Sequence, residues 1–288
     1  ADIFLGPIDN PVVFLSNAEL DSYTPYSLSE NIFCQGANFA DINNDGDLDI
    51  FVCDDIGLST PYENDGQGNF TYNLDLIAAY SNGPSDNSGN YASLWTDYDN
   101  DGDLDMYLSR CRQGATNPDD PRRINQLFQN DGSNNFTDVA EAAGLLPYGQ
   151  SWSTDFADYD NDGDLDCIII NHDIPTMIFE QTSPGIFTDR SQQTGMNQIN
   201  YTAGIQVVSE DFDNDGFQDI LLTSGTGDVY AKNNGNFSFT YHEGPLPSGV
   251  EGEVHTAACG DLNNDGLLDL FVGRGTGYNT SNPERPDQ

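Results

Sequence analysis

The sequence predicts an all-β fold, a β-propeller of four-stranded antiparallel blades with five blades in the ring. Three observations carry this reading. A nine-residue loop of the form D-x-[DN]-x-D-G-x-x-D occurs five times in 288 residues. Each copy lies between two short strand-like runs. A further strand–turn–strand unit follows four of the five copies. Radial repetition of such four-stranded units gives a propeller.

The loops are DINNDGDLD at 41–49, DYDNDGDLD at 97–105 and again at 158–166, DFDNDGFQD at 211–219, and DLNNDGLLD at 261–269, with starts spaced 56, 61, 53 and 50 residues apart. Oxygen side chains at positions 1, 3, 5 and 9 can converge on one hard cation, and calcium takes six to eight oxygens in flexible geometry. Position 6 is glycine in every copy (Gly46, Gly102, Gly163, Gly216 and Gly266), as a chain wrapping tightly round an ion requires. Position 7 varies freely (Asp47, Asp103, Asp164, Phe217 and Leu267), which suits a residue contributing its backbone carbonyl alone. Two carboxylates about 4 Å apart repel by roughly 4 kcal/mol at an effective dielectric of 20, so such a cluster asks for a cation. A solvated acidic turn would explain the Asn, Asp and Gly content. It would not explain aspartate at both position 1 and position 9.

An EF-hand is excluded twice. Its position 12 needs a bidentate glutamate, where this chain has Val52, Leu108, Ile169, Leu222 and Val272. Its flanks should be helices, yet the loops run into DIFVCD, DMYLSR, DCIIIN, DILLTS and DLFVGR, which read as buried strands. The segments before the loops, such as GANFA, YASLWT and TAACG, are also strand-like, so each loop is the tip of a hairpin. The second hairpins are YENDGQGNFTYN, LFQNDGSNNFTDV, MIFEQTSPGIFTD and VYAKNNGNFSFTY. Their phenylalanines, Phe70, Phe136, Phe187 and Phe237, fall 29, 39, 29 and 26 residues after the first aspartate of their loops. Helices are scarce, with AEAAGL at 140–145 as one candidate turn.

No second hairpin follows the fifth loop, whereas PVVFLSNAELDSYT at 11–24 reads as a hairpin with no loop before it. Joining the two closes a ring of five blades and protects its edges. ADIFLG at 1–6 echoes DLFVG at 269–273 and marks one strand that five blades leave over. The alternative to closure is pairing between molecules into a filament.

With its five aspartate loops and trailing NFT or IFT hairpins, the chain resembles the VCBS/FG-GAP repeat family. These calcium-loop propellers include the integrin α-subunit head and cartilage acidic protein-like proteins. The resemblance spans roughly residues 30–288. It implies an extracellular or cell-surface, calcium-stabilised propeller holding about five Ca2+ ions. Family propellers commonly have seven blades, and this chain has five loops. By the resemblance, the first site would use Asp41, Asn43, Asp45 and Asp49 with the Asp47 carbonyl. The second would use Asp97, Asp99, Asp101 and Asp105, and the third Asp158, Asp160, Asp162 and Asp166. The fourth would use Asp211, Asp213, Asp215 and Asp219, and the fifth Asp261, Asn263, Asp265 and Asp269. Sites one and five, with Asn at position 3, are expected to bind more weakly.

The charge is extreme, with 48 acidic residues against 8 basic and a formal net charge of −40. Nucleic acid and anionic membrane reward Lys and Arg and are not expected as partners. No apolar run approaches the length of a membrane-spanning helix. The expected partner is a protein or glycan ligand at the cell exterior, bound by a non-catalytic adhesion or assembly module. A carbohydrate-active enzyme such as a polysaccharide lyase, or its binding module, is the alternative, and a filament protomer is another. The three histidines, His172, His242 and His255, sit in no HExxH, and GxSxG and phosphate loops do not occur. The one basic cluster, Arg110, Arg112, Arg122 and Arg123, lies in an insertion of the second repeat beside Asp119 and Asp120, with which it can pair. Five cysteines show no CxxC spacing; Cys34 and Cys53 face each other across the first hairpin and can form a disulfide, while Cys167 falls at a core position. Five N-x-[ST] sequons, at Asn69, Asn135, Asn200, Asn236 and Asn279, read first as the turn chemistry of the repeat and second as glycosylation sites.

Overall fold

The computed structural model describes residues 3–5, 11–17, 21–77, 89–112, 114–199, 204–224, 227–244 and 253–275, and every structural statement refers to these. The chain begins with β1 (Ile3–Leu5), β2 (Val12–Ser16) and β3 (Tyr23–Ser27), which form a three-stranded sheet. The first complete blade follows as β4 (Cys34–Ala40), β5 (Asp49–Asp54), β6 (Thr60–Asn64) and β7 (Phe70–Tyr72). The second is β8 (Asn90–Thr96), β9 (Asp105–Arg110), β10 (Gln126–Asn130) and β11 (Phe136–Asp138). The third is β12 (Ser151–Ala157), β13 (Asp166–Asn171), β14 (Met177–Ser183) and β15 (Ile186–Asp189). The fourth is β16 (Gly204–Glu210), β17 (Asp219–Ser224), β18 (Val229–Asn233) and β19 (Phe239–Glu243). A two-stranded sheet, β20 (Glu253–Gly260) and β21 (Asp269–Gly275), comes last. All pairings are antiparallel meanders, and the first strands β4, β8, β12, β16 and β20 lie side by side in chain order. Polar side chains of these strands, among them Asn38, Ser93, Ser153 and Gln206, line a channel of about 420 Å³.

The second strand of each complete blade is buried along its whole length, on both faces. That is why these strands read as unbroken apolar runs rather than as an alternation. Phe51 and Cys53 turn toward Met106, Leu108 and Phe128 of the next blade, while Ile50 and Val52 turn back toward Val13, Leu28 and Ile32. The same packing joins the second blade to the third through Tyr107, Leu127, Cys167 and Ile169, and the third to the fourth through Ile168, Ile170, Ile220 and Leu222. The trailing phenylalanine of each blade fills the interface with the sheet before it: Phe70, Phe136, Phe187 and Phe237 each belong to that cluster. Burying a Phe or Ile side chain contributes about 1.5–3 kcal/mol, so the blades cohere through these seams.

Two expectations are corrected by this architecture. The strands at 11–24 do not complete the last blade. They pair with β1 in register Ile3↔Phe14 and pack through Val13 on the first blade, because the chain passes directly from β3 into β4. β20 and β21 pair with each other, and among the described residues the ring is not closed. The strand left over at ADIFLG is thereby explained as β1. Cys34 and Cys53 are both free thiols. A β-bulge at Gln35 shifts the register, so Cys34 stands opposite Asp54 while Gly36 faces Cys53. Cys167 is core, as read from the sequence. AEAAGL forms a single helical turn, α1 (Ala140–Ala143), capped by Gly144 in the left-handed region, and a second turn, α2 (Ser191–Thr194), fills the same place in the third blade.

Candidate metal centres

Each aspartate loop joins the first strand of a sheet to the second, and all five fold by one hydrogen-bond scheme. The position-1 carboxylate accepts the backbone N–H of positions 5 and 6. Asp158, for example, accepts from Asp162 at 3.1 Å and Gly163 at 3.0 Å, and Asp41, Asp97, Asp211 and Asp261 do the same. The position-5 carboxylate accepts the N–H of position 7, which fixes that residue through its backbone and leaves its side chain free to vary as Asp47, Asp103, Asp164, Phe217 or Leu267. Position 6 has φ between +85° and +98° in all five copies, a conformation that L side chains rarely adopt.

Position 9 ties the loop into the blade. Asp49, Asp105, Asp166 and Asp219 are buried, and each accepts the N–H that opens the turn after the third strand, from Asn64, Asn130, Gln181 and Asn233 respectively at 2.7–2.9 Å. The same Asn or Gln side chain donates to the position-8 carbonyl: Asn64 to Leu48, Asn130 to Leu104, Gln181 to Leu165 and Asn233 to Gln218. Gln181 and Asn233 also reach across to the preceding blade, donating to the Tyr98 and Tyr159 carbonyls. The fifth loop has the position-1 and position-5 bonds, and Asp269 accepts from Leu262 at 2.9 Å.

Three of the four predicted oxygens converge in each of three loops. Asp97, Asp99 and Asp101 each offer an oxygen within 4.8 Å of the others; so do Asp158, Asp160 and Asp166, and Asp211, Asp213 and Asp219. Loops one and five present an amide, Asn43 and Asn263, at position 3, and in both its oxygen accepts the position-5 N–H. The charge in the second and third loops is poorly compensated by the protein itself. Burial first, and neighbouring carboxylates after it, push Asp105 and Asp166 up to about 8, and burial pushes Asp49 up to about 6. Asp99 and Asp103 each carry a buried oxygen with no hydrogen-bond partner. An oxygen-only donor set with orphaned carboxylate lone pairs fits a calcium ion, and the wrapped backbone fits its loose geometry.

Two features lay outside the sequence reading. Position 4 is asparagine in all five loops, with φ of 57–61°, and three of these side chains bridge to the next loop. Asn100 donates to the Gly163 carbonyl at 3.3 Å, Asn161 to that of Gly216 at 2.9 Å, and Asn214 to that of Gly266 at 3.2 Å. The second feature is the third-strand residue just before the Asn or Gln described above: Glu63, Gln129, Glu180 and Lys232. Glu63 accepts from Asn43 at 3.5 Å and Gln129 donates to Asp99 at 2.6 Å, while the Lys232 ammonium contacts Asp213 and lies 2.8 Å from Asp215.

The basic insertion is only partly as expected. Arg122 pairs with Asp120, but Arg112 faces Asp55, Arg123 pairs with Asp173, and buried Arg110 donates to Asn90 and to the Pro121 carbonyl. The sequons at Asn69, Asn135 and Asn236 are exposed turn residues, with Asn69 and Asn135 bonded to Asp65 and Asp131 of their own turns; Asn200 and Asn279 lie outside the described residues.

Comparison with known proteins accords with this architecture. No curated protein sequence matches the chain. Among solved structures, an Agrocybe aegerita lectin that recognises non-reducing terminal N-acetylglucosamine shares 18% identity with a TM-score of 0.55, over 94% of this chain and 70% of the lectin. The Photorhabdus luminescens Tc holotoxin pore (16% identity, TM-score 0.44) is matched over 94% of this chain and 12% of its own. The Vibrio cholerae biofilm matrix protein Bap1 (11%, TM-score 0.41) is matched over 83% of this chain and 38% of its own. The profile described as FG-GAP-like repeat matches residues 1–52, 97–169, 160–222 and 211–272. Matched over more than half of its length, with one loop and blade design throughout, the chain belongs to the FG-GAP-like repeat family.

Proposed function

We propose that this protein is a secreted or cell-surface binding module, without catalytic activity, whose blades are braced by calcium and which serves adhesion or assembly by engaging a protein or glycan. The observation that carries the calcium part is the shared loop geometry: three carboxylates converge in each of the second, third and fourth loops, the buried position-9 aspartate among them in the third and fourth, and Asp99 and Asp103 of the second loop carry orphaned oxygens. A divalent ion among them converts repulsion into a bond between the first two strands and the third. The loops would hold about five Ca2+ ions through positions 1, 3, 5 and 9. A site at 100 times its dissociation constant adds about 2.7 kcal/mol of stability. The binding part is supported by the fold, which a lectin shares.

The test is a calcium titration of the purified chain followed by thermal unfolding, with bound metal counted by elemental analysis. The expected result is a melting temperature that climbs with calcium and falls in chelator, at a stoichiometry of several ions per chain. A metal-free protein with an unchanged melting temperature would overturn the reading.

A further inference from the structure

At the ends of the first strands away from the aspartate loops, the first three complete blades surround a cavity of about 720 Å³. It arises from a repeated backbone device. β4, β8 and β12 each carry a bulge near their start, at Gln35, Tyr91 and Trp152. A bulge re-aims one side chain, and all three side chains line the cavity. Tyr91 stacks on Trp152 with ring centres 5.0 Å apart and planes 2° apart; Trp152 in turn stacks on His172 at 4.6 Å and 15°. The fourth blade has a bulge at the same place but carries Ile205 there, so the aromatic series ends at the third blade.

The polar groups beside this wall are held in place and left partly unused. Asp173 takes the Arg123 guanidinium and the Gln150 backbone N–H, the latter at 2.8 Å. Arg123, itself buried, also donates to the Ala115 and Tyr148 carbonyls. On the other side Arg112 donates to the Asp55 carbonyl at 3.0 Å. Yet Gln150 Oε1 and His172 Nδ1 are buried with no hydrogen-bond partner, and both residues line the cavity. Buried polar atoms normally have partners, so two unpaired ones on a preformed concave wall mark a place for a hydrogen-bonding ligand. The charges balance locally, Asp55 and Asp173 against Arg112 and Arg123, inside a chain of net charge −40. That field disfavours an anionic ligand. Burial pushes the Cys111 thiol beside the cavity up to about 11, so it is not a ready nucleophile.

We propose that this cavity binds a neutral pyranose unit of a glycan. The C–H face of the sugar packs on an outer ring face of the Tyr91–Trp152–His172 stack, and its hydroxyls bond Gln35, Gln150 and His172. The proposal rests on the binding-module reading above and narrows its ligand class. It is distinct from the aspartate loops, which lie at the opposite ends of the same strands.

The test uses the calcium-loaded full chain and a panel of methyl glycosides, neutral and uronic, read by saturation-transfer NMR and titration calorimetry. Neutral glycosides should bind and uronic ones should not. Tyr91→Ala and Gln150→Ala should each weaken binding about tenfold or more, with the melting temperature in calcium checking that each variant folds. Gln35→Ala, on the first blade and not a member of the stack, gives a second reading should Tyr91→Ala fail to fold. Neutral glycosides bound equally by folded Gln150→Ala and Gln35→Ala would overturn this site while leaving a glycan-binding module intact. No binding of any neutral glycoside would overturn the sugar assignment, and the calcium titration would still decide the bracing. Cleavage of a glycoside would instead overturn the non-catalytic reading.

Discussion

The third and fourth aspartate loops share one backbone and the same aspartates at positions 1, 3, 5 and 9, yet they face different third strands. In the third blade Glu180 stands beside the loop, and Asp160 is held above the usual carboxylate range by burial first and by Asp162, Asp158 and Glu180 after it. In the fourth blade the same strand position is Lys232, whose ammonium contacts Asp213 and Asp215 and holds Asp215 below the usual range. Both residues precede the Gln or Asn whose N–H donates to the position-9 aspartate, so they are structural counterparts. The nonapeptide therefore sets where the carboxylates go. A residue more than a dozen positions downstream sets how much of their charge is left for a metal ion. On the calcium reading, the third loop takes its counter-charge from the ion, while the fourth already holds a tethered cation.

The largest test of this contrast removes position 9. Asp166→Ala deletes a proposed oxygen ligand and strands the Tyr159 and Gln181 N–H groups, bonded at 2.9 Å each, in a buried place. The expected loss is about 3–5 kcal/mol in calcium, given that each stranded donor costs about 1–3 kcal/mol. In chelator the loss should shrink, because a repelling charge is removed as well. Asp219→Ala should show a smaller difference between calcium and chelator, since Lys232 stands in for the ion. Equal differences at the two positions, measured by thermal unfolding, would erase the distinction between the loops.

Exchanging the strand residues should move the property itself. Lys232→Gln installs the residue that the second blade has at Gln129. Calcium affinity of the fourth site should rise about tenfold, or 1.4 kcal/mol, as cation–cation repulsion is lifted. Glu180→Lys should weaken the third site by a similar factor. Calorimetric titration resolves both, and unchanged isotherms would show that the third strand has no say in metal binding.

What could be read in advance follows from how local each cause is. The loops were legible because a carboxylate cluster and an obligatory glycine are fixed by nearest neighbours in sequence. The buried second strands were legible because burial on both faces leaves an unbroken apolar run, as in DCIIIN. Lys232 and Glu180 were not, because their role appears only when the third strand is laid against the loop. The position-4 asparagines were in plain view but look like ordinary turn residues; their bonds to Gly163, Gly216 and Gly266 exist only between blades. Bulges leave no residue signature, so the partner of Cys34 was misplaced by one residue and the re-aimed Tyr91 and Trp152 were overlooked. The N-terminal hairpin was joined to the wrong sheet because a blade without its loop carries no address.

The contrast between loops also has a pH signature. A carboxyl whose folded pKa is raised keeps its proton longer in the fold than in the unfolded chain. Between about 4 and 8, the window set by Asp166 and Asp105, the folded protein then binds more protons and its stability in chelator falls as pH rises. One such group contributes at most about 1.4 kcal/mol per pH unit, less after solvent screening. Calcium requires ionised oxygens, so in its presence the slope should flatten or reverse. Asp215 has the opposite sign: its pKa is lowered by Lys232, and its contribution is present at neutral pH and lost on acidification. Lys232→Gln should remove that acid loss and, because Lys232 also holds down the raised Asp219, steepen the chelator slope above about pH 4; unfolding curves at several pH values that overlay with wild type would contradict it.

The smallest expected effect concerns whether the two loops sense each other. Asn161 donates to the Gly216 carbonyl at 2.9 Å and so clips the third loop to the fourth. Its φ of 60° lies in the left-handed region, so an alanine there would mix strain with loss of the clip. Asn161→Gly keeps the conformation open and removes only the amide. An exposed neutral hydrogen bond of this kind contributes about 0.5–1 kcal/mol. If the clip transmits ordering, calcium at the third site should bind less cooperatively with the fourth in Asn161→Gly. The Lys232→Gln gain should then lose its influence on the third site, so the double variant would bind there like Asn161→Gly alone and depart from the sum of the single effects. A coupling energy that survives the removal of Asn161 would place the communication in the packed interface of Tyr159, Phe237 and Phe239 instead, where the rings meet edge to face at about 6 Å.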